Sequence, residues 1–177
     1  EKAKEKYEIE VVSDDDLYVN TSDDSYILNN DKFKSLSREL HHGISRYEHS
    51  LRVAKYSYNV ATILHMKNYK EITRAALLHD FYDDVDLGND TSFQRLYTHP
   101  HMAMVNAKKY FELNETQENI IESHMFPMSK TLPKSKEAVL VSLMDKSAAT
   151  YEMAHFKLAL KLSMLLIFLY NVITIEK

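Results

Sequence analysis

Apolar side chains recur every three or four positions along most of the chain, which is the spacing of one face of an α-helix. The clearest stripe lies within residues 46–64, directly after Ser45 and Glu48, whose S-x-x-E spacing predicts a helix start. Further helices are predicted from Asp31 to a stop at Gly43, over 71–81, from Pro100, from Thr116, and from Ser135 to about Met153. The pattern therefore predicts a chain made of helices.

Three stretches depart from this one-sided pattern. Residues 1–30 are acidic with scattered apolar positions, and residues 82–98 are rich in Asp, Asn and Thr, which is typical of a loop. The last stretch, 156–177, is strongly apolar and predicts a separate terminal helix that packs on the domain or on a second subunit, with membrane association as the alternative. The predicted organisation is an N-terminal extension (1–30), a helical domain (31–155) and an apolar C-terminal helix (156–177).

Composition narrows the fold and the partners. Two glycines and three prolines among 177 residues are too few for the tight turns of a sheet-rich fold, so we expect an all-α helical bundle. The absence of cysteine excludes disulfides and zinc–thiolate sites. A net charge of -4 argues against a nucleic-acid polymer as partner. No signal peptide opens the sequence, so a cytoplasmic protein is expected.

Candidate chemistry centres on the dipeptide His79-Asp80, which follows the apolar run 75–78 at the end of a predicted buried helix. Burying both side chains without a partner is costly, and an imidazole beside a carboxylate suits a divalent metal. The alternative is a histidine that caps its own helix. Other metal-competent side chains lie at helix ends or on inward faces, and with the dipeptide they form one set: His49, His79, Asp80, His99, His124 and Asp145.

The order of these residues resembles the HD-domain metal-dependent phosphohydrolase superfamily. The resemblance covers roughly residues 40–152 and rests on these motifs: Arg46-Tyr47-Glu48-His49, Leu77-Leu78-His79-Asp80, His99-Pro100-x-x-Ala103, His124 and Asp145-Lys146. It implies an HD-like bundle in which His49, His79, Asp80 and Asp145 hold one metal. His99 and His124 would hold a second ion that Asp80 bridges, as in the binuclear, di-iron dinucleoside polyphosphate hydrolase-like branch. Asp80 would then be the catalytic carboxylate.

The same resemblance implies a function. It predicts a phosphohydrolase that uses one or two divalent transition metals, Fe or Mn, to activate a hydroxide against a phosphate ester or anhydride of a nucleotide. The alternative is a non-catalytic module that senses a nucleotide or holds a structural metal. Many relatives read His-Asp-Ile-Gly-Lys, whereas this chain has Phe81, Tyr82 and Asp83 after the dipeptide, which argues against cyclic dinucleotide substrates.

Two cationic side chains are candidates for binding substrate phosphate. Arg46 lies one turn before His49, and a guanidinium can bind phosphate through two hydrogen bonds, although a surface salt bridge is the alternative. Lys146 follows a proposed ligand and could bind phosphate, with a solvated lysine as the alternative. His101 competes with His99, which we favour because the His-Pro pattern begins there. Where the C-terminal helix packs on a second subunit rather than on its own domain, the partner is a second copy of the chain in a homodimer.

Overall fold

The computed structural model describes residues 22–38, 40–41 and 44–175 of the chain. The helices of this part are α1 (Ser22–Asn29), α2 (Asp31–Ser35), α3 (Arg46–Ile63), α4 (Tyr69–Leu78), α5 (Ser92–Tyr110), α6 (Glu115–Ser123) and α7 (Lys136–Ile175). Two short strands, β1 (Leu40–His41) and β2 (Ile44–Ser45), pair in antiparallel fashion. The fold is the all-α bundle that the sequence predicts.

Helix α4 lies at the centre of the bundle. It contacts α3 on one side and α6 and α7 on the others. Its side chains from Ala75 to Leu78 are fully buried, as is Ile72 one turn earlier. The two alanines let neighbouring helices approach closely, while the leucines fill the core, so the residue that follows this helix is delivered into the interior. That residue is His79.

The predicted capping box at the start of α3 is confirmed. The backbone N–H of Glu48 donates to the Ser45 hydroxyl at 3.2 Å, and the Glu48 carboxylate accepts from the Ser45 backbone N–H at 3.0 Å. This reciprocal pair fixes where α3 begins. His49 therefore lies in the first turn of α3 and is completely buried.

Several predicted helix boundaries before residue 120 are wrong. The helix predicted over 71–81 spans Tyr69–Leu78, because His79 caps it. Helix α2 ends at Ser35 rather than near Gly43, which lies outside the described residues, because the Ser35 hydroxyl donates to the carbonyl of Lys32 and a 3₁₀ turn follows. Helix α5 begins at Ser92 rather than at Pro100, because Thr91 and Gln94 form a capping box that we did not identify. Helix α6 is capped by Asn114 rather than Thr116, again through a capping box.

Helix α7 also differs from its prediction. The helix from Ser135 and the apolar stretch beyond 156 are one continuous helix of 40 residues, not two. Its described buried positions end at Glu152, and the side chains described after it are exposed. Among the helices that the structure describes, none is long and apolar enough to cross a membrane.

Residues 1–21 lie outside the described part of the chain, so the predicted extension is represented only by α1 and the residues beside it. Ile27 of α1 is fully buried, which ties this helix to the core. The division of the chain into three parts stays a prediction.

Candidate metal centre

Five helices deliver the six predicted side chains to one buried place. His49 comes from α3, His79 and Asp80 follow α4, His99 comes from α5, His124 follows α6, and Asp145 comes from the first third of α7. None of the six is more than 7% exposed. Neighbouring imidazoles form a row, with ring centroids 5.2 Å apart for His49 and His79, 4.9 Å for His79 and His124, and 5.0 Å for His124 and His99.

Two helix ends use the same device to aim a histidine. His79 is the residue that caps α4, and its Nδ1 lies 2.7 Å from the carbonyl oxygen of Ala76, three residues back. His124 caps α6 in the same way, with Nδ1 2.7 Å from the carbonyl oxygen of Ile121. A carbonyl can only accept, so in both rings Nδ1 carries the hydrogen, and the neutral ring offers the lone pair of Nε2 to the interior. Both negative helix ends also favour a cation there.

His99 is oriented similarly from within a helix. Its Nδ1 donates to the carbonyl oxygen of Arg95 at 2.6 Å, one turn earlier in α5. Pro100 lies inside this helix and lacks a backbone N–H, so the turn loses one helical hydrogen bond. The Nε2 atoms of His99 and His124 then face each other at 3.0 Å. Burial lowers the pKa of both rings, that of His124 to about 3, so both are neutral near pH 7.

Two neutral Nε2 lone pairs at this distance repel each other unless a cation lies close to both. Asp80 supplies the nearest negative charge, with Oδ1 3.4 Å from the Nε2 of His99 and 3.7 Å from that of His124. Imidazole nitrogens and carboxylate oxygens are the ligands that divalent transition metals accept. This end of the row therefore fits a metal ion.

The other end of the row contains a carboxylate–imidazole pair. The Nε2 of His49 lies 3.1 Å from Oδ1 of Asp145, and its Nδ1 lies 2.9 Å from Oε2 of Glu152. Burial opposes a charged ring, but the hydrogen bonds to Asp145 and Glu152 overcome it and raise the pKa of His49 to about 10. The same contact holds the pKa of Asp145 well below its usual value in spite of burial. A metal ion held by His49 and Asp145 would therefore have to displace the proton from Nε2 of His49.

His79 connects the two ends. Its Nε2 is fully buried and makes no hydrogen bond to any described residue, while lying 3.7 Å from a carboxylate oxygen of Asp80 and 3.7 Å from one of Asp145. A buried acceptor in this position costs free energy unless a proton or a metal ion binds it. Two overlapping groups could each hold an ion: His49, His79 and Asp145, and His79, Asp80 and His124. The predicted ligands therefore fit a metal.

A family comparison agrees with this geometry. The family model named HD domain matches residues 46–150, which is more than half of the chain. The chain belongs to the HD domain family. Members of this family are typically metal-dependent hydrolases, and the buried histidine and aspartate groups could hold a metal ion as such an enzyme requires. Comparisons with curated proteins and with solved structures found no match.

Glu152 is the functional candidate that the sequence reasoning missed. It lies in α7 just beyond the part that matches the HD domain, and is 3% exposed. One carboxylate oxygen accepts from His49 and the other from Arg52. A signal was available, since Glu152 follows Asp145 by seven residues and two helical turns place both on one face. Its partner His49 is distant in the chain, so no local pattern indicated the contact.

Arg46 combines features of both alternatives considered for it. Its guanidinium pairs with Asp84, Nη2 to Oδ1 at 2.7 Å, as a salt bridge would, yet the Arg46 side chain is only 5% exposed. It stacks on the Tyr82 ring, 4.1 Å from the centroid, and the Tyr82 centroid is 5.2 Å from that of His99. The buried guanidinium of Arg46 therefore lies close to the metal centre. Its role in phosphate binding stays a prediction.

Lys146 is half-buried, and its ammonium group binds within the protein. Its ammonium donates to the carbonyl of His124 at 2.8 Å and to the carbonyl and hydroxyl oxygens of Ser142 at 3.1 and 2.8 Å. These contacts use all three donors of a lysine. They favour a role in which Lys146 holds the backbone at His124 in place. The predicted role of Lys146 in phosphate binding stays a prediction.

His101 lies away from the metal centre. Its ring pairs with Glu122 at 2.9 Å, and its side chain is 62% exposed. Its neighbour two positions earlier, His99, is the one that faces His124. The arrangement agrees with the preference for His99.

Proposed function

We propose that this HD domain hydrolyses a phosphate ester or anhydride of a nucleotide with two divalent metal ions. The observation that carries the proposal is the position of Asp80 between two sets of imidazoles. Its Oδ2 lies 3.7 Å from His79, while its Oδ1 lies toward His99 and His124. A carboxylate whose two oxygens are directed to separate groups of ligands suits a bridge between two ions.

The ligands divide naturally into two groups around this bridge. His49, His79 and Asp145 would hold one ion together with Asp80, and His99 and His124 would hold the other. Fixed Nδ1 hydrogen bonds keep the Nε2 atoms of His79, His99 and His124 directed inward, so these ligands need little reorganisation to bind. Imidazole and carboxylate donors without thiolate are compatible with Fe or Mn, the metals that we propose.

When bound, such ions supply Lewis-acid stabilisation of a phosphoryl oxygen and an acidified water molecule. The chain supplies the surroundings. Arg46 places a guanidinium beside Tyr82 and the His99 end of the site, where it can attract a phosphate group. Asp84 holds this guanidinium and is itself exposed on the surface, so a phosphate could compete with Asp84 for Arg46.

Metal analysis combined with a substrate panel tests the proposal. Protein reconstituted with Fe²⁺ or Mn²⁺ without oxygen should contain about two ions per chain. It should release phosphate or nucleotide from at least one of a panel of nucleoside mono-, di- and triphosphates and dinucleoside polyphosphates. The matched control is Asp80→Asn, which keeps the shape of the side chain but lacks the charge that a bridge requires. Metal-loaded protein that binds a nucleotide without turning any of the panel over would instead support a sensing module.

A further inference from the structure

The distal part of α7, residues 153–175, lies beyond the buried positions of this helix, and its described side chains form a large apolar surface. Leu158, Leu162 and Leu165 are 54%, 51% and 51% exposed. Other faces of the same segment are apolar too, with Ile167 and Phe168 more than 60% exposed. A helix that is apolar on several faces is normally buried, so this surface calls for a partner.

The spacing along one face indicates what kind of partner fits. Leu158, Leu162 and Leu165 are separated by four and then three residues, which is the repeat of helices that pack side by side in a coiled coil. The same repeat reaches back to Tyr151 and His155, whose rings are 4.2 Å apart. In the sequence it continues to Leu169 and Val172. We call the row Leu158, Leu162 and Leu165 the leucine seam.

A different face carries the charge of this segment. Lys157, Lys161 and Met164 follow one another at helical spacing and lie to the side of the leucine seam. Two lysines on this face favour its contact with water. The seam can therefore be covered by another helix while the lysines stay solvated.

We propose that a second copy of this chain covers the leucine seam, through two distal α7 segments packed side by side. From residue 151 to residue 172 the repeat covers about three heptads, a length over which such a pattern indicates paired helices, and a second copy presents the same seam in return. A surface-bound membrane helix would instead need one apolar face opposite a broad polar face. Ile167 and Phe168 are exposed and lie off the leucine seam, so the segment lacks the broad polar face of such a membrane helix.

The mass in solution tests this pairing. Light scattering after size exclusion, and sedimentation over a range of protein concentrations, should give twice the chain mass of 20.7 kDa for the full chain without detergent. Leu165→Glu places a charge in the seam and should raise the dimer dissociation constant at least tenfold. Met164→Glu is the matched control, because it adds the same charge at the neighbouring position, also exposed, on the lysine face. It should stay dimeric.

Three outcomes would overturn the pairing: a monomeric wild-type chain at tens of micromolar, equal effects of the two glutamates, or a mass above two copies. Flotation of the wild-type chain with anionic vesicles, without a dimer in buffer, would assign the surface to a bilayer instead. Both positions lie outside the bundle, and far-UV circular dichroism of each variant should show unchanged thermal unfolding of the domain.

Discussion

The two ends of the metal centre differ in how their buried histidines are stabilised when no metal ion is bound. At one end His49 lies between Asp145 and Glu152, so two carboxylates stabilise a proton when no metal is bound. At the other end His99 and His124 direct their lone pairs at each other, and burial keeps both rings neutral. The first end can be satisfied without a metal ion, whereas the second depends on one. Histidines within one row can therefore differ in how strongly they depend on a bound metal ion.

The largest effect is expected where the two ends meet. Asp80→Asn should abolish turnover and remove most bound metal, because the carboxylate faces both ends of the row. Elemental analysis and the nucleotide panel measure the two losses. If this variant bound metal and turned over substrate like the wild type, Asp80 would not be the bridge and the two ends would be independent.

Loss of a ligand at one end of the metal centre should leave the other end able to bind a metal ion. His124→Ala takes away a ligand that only the second group requires, so the metal content should fall from about two ions per chain to about one. Activity should fall at least 100-fold, while the helix content is retained. Loss of all metal would show that the ends bind as a single unit.

Glu152 tests the carboxylate-rich end alone. Glu152→Ala removes the acceptor that fixes the Nδ1 hydrogen of His49, and we expect about a 10- to 100-fold loss in metal affinity. Glu152→Gln keeps an acceptor oxygen and should restore much of the affinity. Titration of each variant with Co²⁺, followed by its visible absorption spectrum, reports the coordination directly. Identical affinity in all three proteins would exclude a positioning role for Glu152.

The smallest expected effect concerns the free energy of unfolding of the metal-free protein. His49 and His124, at the two ends, should make this free energy depend on pH with opposite signs. The folded pKa of His49, about 10, lies above its ordinary 6.5, so its stabilisation is complete below pH 6.5 and is lost as the pH rises toward 10. The folded pKa of His124, about 3, lies below 6.5, so stability is lost as the pH falls from 6.5. On the alkaline limb, above pH 6.5, and on the acidic limb, below it, the free energy of unfolding should change by up to about 1.4 kcal/mol per pH unit.

Urea unfolding with chelator present, from pH 4.5 to 9, measures both limbs. The free energy of unfolding should be greatest near pH 6.5, since the two losses begin there in opposite directions. His49→Gln should flatten the alkaline limb and His124→Gln the acidic one. If the free energy of unfolding of both variants had the same dependence on pH, the proposed difference between the two ends would be wrong.

Much of this site could be predicted from the sequence because its ligands occupy positions with local signals. The apolar run before His79 predicts a buried helix end, and the isolated charge of Asp145 in an apolar stripe predicts a partner. Their convergence is not a local property. It came from the ordered resemblance to the HD domain, which the family comparison supports.

The remaining errors have physical causes. Pro100 predicts a helix start, yet the Thr91–Gln94 capping box begins α5 earlier and the helix tolerates the proline inside it. The sequence predicts that the helix from Ser135 ends at about Met153, where a strongly apolar stretch follows soon after. That change marks the place where the helix leaves the bundle, not where the helix ends, and no glycine or proline follows to break it.

The placement of His79 and His124 as cap residues of α4 and α6 also limits how these helices can change in length. One residue inserted or deleted upstream within either helix would turn its terminal histidine by about 100° and shift it by about 1.5 Å along the axis. The ring would then face a different neighbour although its identity was unchanged. An insertion within either helix would therefore displace a ligand of the metal centre, so the position of each ring depends on the number of residues in its helix.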